Sequence, residues 1–342
     1  MKKIIIMTAI IASSMASFTQ NAKSLGVLEF SDEGILFAGD NTSGAVFAYD
    51  FSEAQAKSDP FEVNVYQIDE KVASTLGTAP KNIQINDIAV HPKSCEVYLS
   101  VTRGHGAEAL PALIRVNSAQ TLENIDLTKV EFTRQALTNI PDEGHKMVLR
   151  GTLGAPPTEK EIAKSKISLR TLSIVSMEYH NGGLYVAGIS NEEFNSVLRH
   201  LPYPFNGEEK VSEIEMYHIA HDRYETRAPI RAMVARELNG IDYLVAAYTC
   251  SPLVLIPISD LKDGAKVKAK SLGDMGNGQP IDMVPFKMKG EEMLFVTNNS
   301  RSPRSIPLKA LAAAKPVTEK DFARGGKLDM SPLMPYGPVG KA

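Results

Sequence analysis

Residues Gly26–Phe51 read GVLEF-SDEG-ILFAGD-NTSG-AVFAYDF: three short apolar runs separated by two polar turns. The same grammar returns at Asp87–Asn117, Val175–Phe205, Ile230–Leu261 and Ile281–Leu311. Second runs such as VYLSV, LYVAG, YLVAAYT and LFVTNN are followed, after a polar loop, by third runs such as ALIRVN and LVLIPIS. Apolar runs this short, bounded by turn residues, are strands rather than helices. A unit of three or four strands cannot bury both of its faces alone, so it must stack on its neighbours. Units of this kind arranged radially make an all-β β-propeller of four-stranded antiparallel blades. Five blades are readable, and about six are expected if the insertion or the termini supply another. The outer strands are less regular, with Val63–Asp69, Val130–Leu137, Glu213–Ile219 and Val267–Leu272 as candidates. In EIEMYHI, strand alternation puts Ile214, Met216 and His218 on one face.

The repeats carry a family resemblance. LFVTNN (Leu294–Asn299) and LYVAG (Leu184–Gly188) resemble the YVTN type of propeller repeat. GILFAGDNTSGAVFAYD resembles the NHL and gluconolactonase type, in which a strand ends in an acidic or Asn residue before the loop to the next strand. The likeness spans most of residues 25–311. It implies propeller architecture and ligands placed over the central channel, and no particular reaction.

The first residues have the pattern of an export leader. Lys2 and Lys3 precede the apolar Ile4–Ile11, and small residues run to Ala16, where cleavage is expected. Residues 17–342 then form a single propeller domain in the periplasm or outside the cell, without a membrane segment. A gap between the second and third copies holds an insertion, 138–169, with a short helix expected over Glu159–Ser165 behind a Thr158 capping box. Formal charge is −3 with acids and bases mixed and no basic face visible, which argues against a nucleic-acid partner. The absence of Trp counts against WD-type blades. The repeat puts Cys95 and Cys250 at opposite ends of a blade, beyond the reach of a disulfide, so both are expected as free thiols. A monomer that meets a small molecule or a protein partner on one face is the expected state.

That face carries the loops joining second to third strands and the crossings between blades, where polar residues gather. Arg103, Arg170, Arg227, Arg231 and Cys250 are the candidate ligand-binding residues, since a guanidinium holds carboxylate or phosphate through paired N–H donors. His221, Glu192 and Glu225 are the candidate acid–base residues. Asp40, Asn191 and Asn298 are oxygen ligands from three blades, suited to a divalent metal such as Ca²⁺. Each set has an ordinary structural alternative: salt bridges between blades for the arginines, a buried small thiol for Cys250, and loop capping for the Asn and Asp residues. Met177, Met233 and Met283 occupy equivalent strand positions and are expected in the core between blades. Two functions fit. One is a binding propeller that takes a small ligand or a protein on this face. The other is a metal-assisted lactonase or esterase that uses the same face.

The leader reading makes a direct prediction. Mass analysis of the exported protein should place its N-terminus at Ser17, within about three residues. Retention of Met1 in the exported fraction would contradict it.

Overall fold

The computed structural model describes residues 21–57, 61–147, 167–191, 196–219, 222–249, 252–275 and 278–322. The leader, the helix expected at Glu159–Ser165, and Glu192, His221 and Cys250 lie outside the described residues.

The first copy forms β1 (Leu28–Phe30), β2 (Ile35–Asp40) and β3 (Ala45–Asp50). The chain then leaves this sheet. Helix α1 (Ile68–Thr75) leads to β4 (Ile83–Val90), β5 (Val97–Arg103), β6 (Leu110–Val116) and β7 (Leu122–Ile125), a complete four-stranded blade. Only afterwards does β8 (Phe132–Ala136) return to pair antiparallel with β3 and finish the first blade. The second blade is therefore inserted between the third and fourth strands of the first. This corrects the expected assignment of outer strands. The Val63–Asp69 segment is not a strand: Val63 and Val65 lie against the second blade and the chain then enters α1. The 130–137 stretch belongs to the first blade rather than the second.

In the insertion, β9 (Lys146–Met147) and β10 (Ile167–Ser168) make a two-stranded ladder. The third blade is β11 (Ser176–His180), β12 (Gly183–Ile189), β13 (Ser196–Pro202) and β14 (Lys210–His218), with β15 (Arg223–Glu225) folded back on β14. The fourth is β16 (Ile230–Leu238), β17 (Ile241–Tyr248), β18 (Pro252–Pro257) and β19 (Lys266–Asp274). The fifth is β20 (Pro280–Met288), β21 (Glu291–Asn298) and β22 (Arg304–Pro307), followed by α2 (Leu308–Ala313). The protein is an all-β propeller. Among the described residues its blades number five, not six, and the last has three strands. Local chemistry sets the hairpins: Asn181-Gly182, Asn239-Gly240 and Lys289-Gly290 all adopt the positive φ that two-residue turns require.

Apolar clusters give the order of blades around the ring. Tyr98 and Leu113 of the second blade pack with Leu36 and Phe47 of the first. Phe37 and Val46 on the first blade's other side meet Met177 and Val186 of the third. Tyr185 and Ile214 of the third meet Met233 and Leu244 of the fourth. Val245 and Leu255 of the fourth meet Met283 and Ile306 of the fifth. The spatial order is thus second, first, third, fourth, fifth. The three methionines lie in the cores between blades, as the repeat requires. Ile214, Met216 and His218 share the buried face of β14. The remaining face of the second blade, with Leu99, Val101 and Ile114, is covered by Val72 of α1 instead of by the fifth blade.

Blades three and four are further joined where β14 and β19 pair in parallel. A buried ion pair anchors the start of the insertion. Arg199 and Glu209 are 0% and 4% exposed, with Nε to Oε1 at 3.0 Å. Arg199 also donates to the Thr138 carbonyl at 3.2 Å, and the Thr138 N–H donates to Glu209 at 2.8 Å. Removing one partner strands the other charge without water. Glu209→Ala should therefore cost about 3–5 kcal/mol in urea unfolding, and Glu209→Gln less. A loss below about 1 kcal/mol for the alanine variant would show that the pair does not anchor this corner.

Candidate functional site

The five first strands of the blades (β1, β4, β11, β16 and β20) border a central cavity of about 790 Å³. Each of these strands is paired on one side only, so its other edge turns unpaired backbone groups toward the cavity. Such groups need partners. Carboxylates from the adjoining blade supply them. Asp87 on β4 accepts from Leu28 N–H on β1 at 2.8 Å. Glu29 on β1 accepts from Tyr179 N–H on β11 at 3.4 Å. Glu178 on β11 accepts from Ala235 N–H on β16 at 2.7 Å. The acids thus reach from blade to blade in ring order. Asp282 on β20 completes the acidic set and bonds the N–H of Met283 in its own strand.

These groups are withdrawn from water and crowd one another. Burial pushes the Asp87 carboxyl up to about 7, with Asp282 adding to it and the Leu28 and Ile88 N–H groups opposing. Burial likewise pushes Glu178 up to about 7, against its bond from Ala235 and the nearby Arg236. Burial, then repulsion from Glu178, holds Glu29 well above the usual carboxylate range. Asp282 is raised by burial.

Arg231 lines the same cavity at the start of β16. It is half-buried, and its Nε is shielded from solvent without a hydrogen-bond partner. Burial alone lowers its pKa, and no carboxylate among the described residues acts to raise it. The cavity therefore contains a desolvated cation apart from its acids.

The other candidates from the sequence fall elsewhere. Asp40 is fully buried, and its oxygens accept from Lys23 N–H at 2.8 Å, Ser24 Oγ at 2.6 Å, and Ser43. It clamps the N-terminal segment to the β2–β3 loop. Asn298 accepts from Ser300 N–H at 2.9 Å, and the Asn191 N–H bonds the Asn139 carbonyl. No group of three His, Cys, Asp or Glu able to hold a metal occurs among the described residues. Glu225 bonds His218 Nδ1 at 3.0 Å and Arg223 Nε at 3.1 Å. Its strand, β15, doubles back on the outer strand β14, and among the described residues of the crossing segment Arg231 alone lines the channel. Arg103 and Arg227 are exposed, and Arg227 is already engaged. Arg170 lines a second, smaller hollow with Lys23, Ser43 and Glu143. Cys95 is a free thiol in the β4–β5 turn.

Glu29, Asp87 and Glu178 were not among the sequence candidates. A signal was present: an acid interrupts the first apolar run of four copies, in VLEF, NDIAV, SMEYH and IDMVP. The fourth copy has Arg231 and Arg236 instead, in IRAMVAREL.

No family model and no curated protein matches the chain. Several solved structures are similar at low levels. An α-L-arabinanase mutant of Cellvibrio cellulosa is 11% identical with a TM-score of 0.32, over 84% of this chain and 92% of that one. A glucose dehydrogenase is 12% identical at 0.31, over 81% and 94%. A luciferin-regenerating enzyme is 9% identical at 0.28, over 81% and 84%. The fold assignment rests on the sheet topology, and none of these activities transfers to this chain.

The raised carboxyls have a consequence for stability. Between the ordinary carboxylate range and pH 7 the folded protein binds more protons than the unfolded chain. Stability is then greatest at the acid end of that window and is lost as pH rises toward 7. Urea unfolding should show a loss on the order of 2 kcal/mol or more from pH 5 to pH 8. Glu178→Gln keeps an oxygen acceptor for Ala235 and should reduce the proton linkage by about one. A pH slope unchanged in that variant would contradict the assignment.

Proposed function

We propose that the protein is an exported binding propeller that holds a small anionic ligand in its central channel, with Arg231 as the anchor. The observation that carries this reading is the isolated guanidinium. A partly desolvated cation with no acid beside it among the described residues is a cost to the fold. An incoming carboxylate or phosphate offsets that cost through charge-assisted hydrogen bonds. A cavity of about 790 Å³ is in the range that encloses small ligands. Unpaired charge kept at the expense of stability is characteristic of binding sites.

A second reading has one observation in its favour. Carboxyls held near pH 7 are poised as general acids, and a neighbouring ionised carboxylate serves as base in hydrolases. Asp87 and Glu178 meet the first condition. Both are also acceptors for backbone N–H groups of the next blade, and this architectural task accounts for their positions. Binding is therefore the better-supported function.

Arg231→Met separates ligand binding from stability. The variant should be as stable as the parent, or more stable by about 1 kcal/mol, because it removes a desolvated charge and keeps the apolar stem. In thermal shift assays with a panel of small monocarboxylates, at least one should raise the melting temperature of the parent and none that of the variant. Loss of roughly 3 kcal/mol or more in the variant would show instead that Arg231 pairs with a buried acid.

A further inference from the structure

The channel is not polar throughout. Ile88 and Val90 on β4 are 53% and 54% exposed, and Ile281 and Val284 on β20 are 61% and 44% exposed. All four line the same cavity as Arg231. Inner strands of a propeller normally bury such side chains between blades. Here they stay in water for a topological reason. The second blade's free face is occupied by α1, and no apolar cluster joins it to the fifth blade among the described residues. The two flanking inner strands therefore present bare aliphatic side chains to a concave space. Met288, near the end of β20, is also 43% exposed. Exposed aliphatic residues scattered over a surface need no explanation, but a group of them on adjoining walls of one cavity marks a binding surface.

Resting on the reading of the channel as an anion site, we infer that its ligand is an amphipathic monocarboxylate: an acid group on Arg231 and an aliphatic body against Ile88, Val90, Ile281 and Val284. Charge complementarity selects the head. The cation has no acid of its own among the described residues, whereas Asp87, Glu29 and Glu178 are already bonded to backbone N–H groups across the ring. Their raised pKa values also reduce the negative charge that an anion meets near neutral pH. The wall selects the body. A small hydrophilic anion would leave the aliphatic side chains wet, whereas an alkyl or alicyclic chain would remove them from water.

Isothermal titration with a series of linear carboxylates from acetate to decanoate, below micellar concentrations, tests the assignment. Affinity should rise by about fourfold per methylene until the wall is covered. Arg231→Gln should weaken every member at least about tenfold and keep the slope with chain length. Ile281→Ser and Val284→Ser, at exposed positions that leave the core intact, should flatten the slope and keep the dependence on Arg231. Equal affinity for acetate and octanoate, still lost in Arg231→Gln, would overturn the amphipathic assignment and leave the anion site standing. No binding by any member would overturn the anion site itself. Equal or tighter binding of an alkyltrimethylammonium of matching length would also refute the inference, since the acids rather than Arg231 would then be the anchor.

Discussion

The free edge of each innermost strand is the constraint on which the molecule is built. A propeller pairs these strands on one side only, and the other side faces the axis. Backbone N–H groups there must find partners in a narrow space. Asp87, Glu29 and Glu178 solve this in turn, each accepting from the next blade at Leu28, Tyr179 and Ala235. The acids fasten neighbouring blades at the axis, while apolar clusters fasten them farther out. The price is a set of desolvated carboxyls whose pKa values rise toward neutrality. The channel's electrostatics therefore follow from backbone satisfaction before any ligand is considered.

The order of the chain sets the rest of the channel. Because β8 closes the first blade only after the second is complete, the second blade stands at one end of the spatial series and the three-stranded fifth blade at the other. Helix α1 covers the second blade's outer face. The inner strands β4 and β20 are then left with aliphatic side chains that neither core absorbs. One detour in connectivity thus leaves exposed aliphatic side chains on β4 and β20 beside the acids Asp87 and Asp282, with Arg231 in the same cavity. The binding proposal depends on this coincidence of topology and charge.

Much of this was legible in the chain, for identifiable reasons. Strand alternation is a local property, so the five repeats, the buried face of β14 and the interblade methionines could be read from spacing alone. The partner of an outer strand is not local. LENI at 122–125 and FTRQA at 132–136 both make acceptable outer strands, and nothing in either says which sheet it joins. The extra turn of chain that makes β15 is equally silent, so Glu225 was expected near the channel and lies against β14. The axial acids were missed because they interrupt strands, whereas attention to polar residues favours loops. Arg231 was found because it opens an inner strand, and every inner strand must border the axis.

Where a carboxylate sits in the channel is the most direct measure of this account. A crystal structure of the protein grown with octanoate should show the acid group within hydrogen-bond distance of the Arg231 guanidinium and the chain along Ile281 and Val284. The bonds from Leu28, Tyr179 and Ala235 to the axial acids should be intact in the same structure. Octanoate absent from the channel at saturating concentration, or bound with its acid group away from Arg231, would contradict the account.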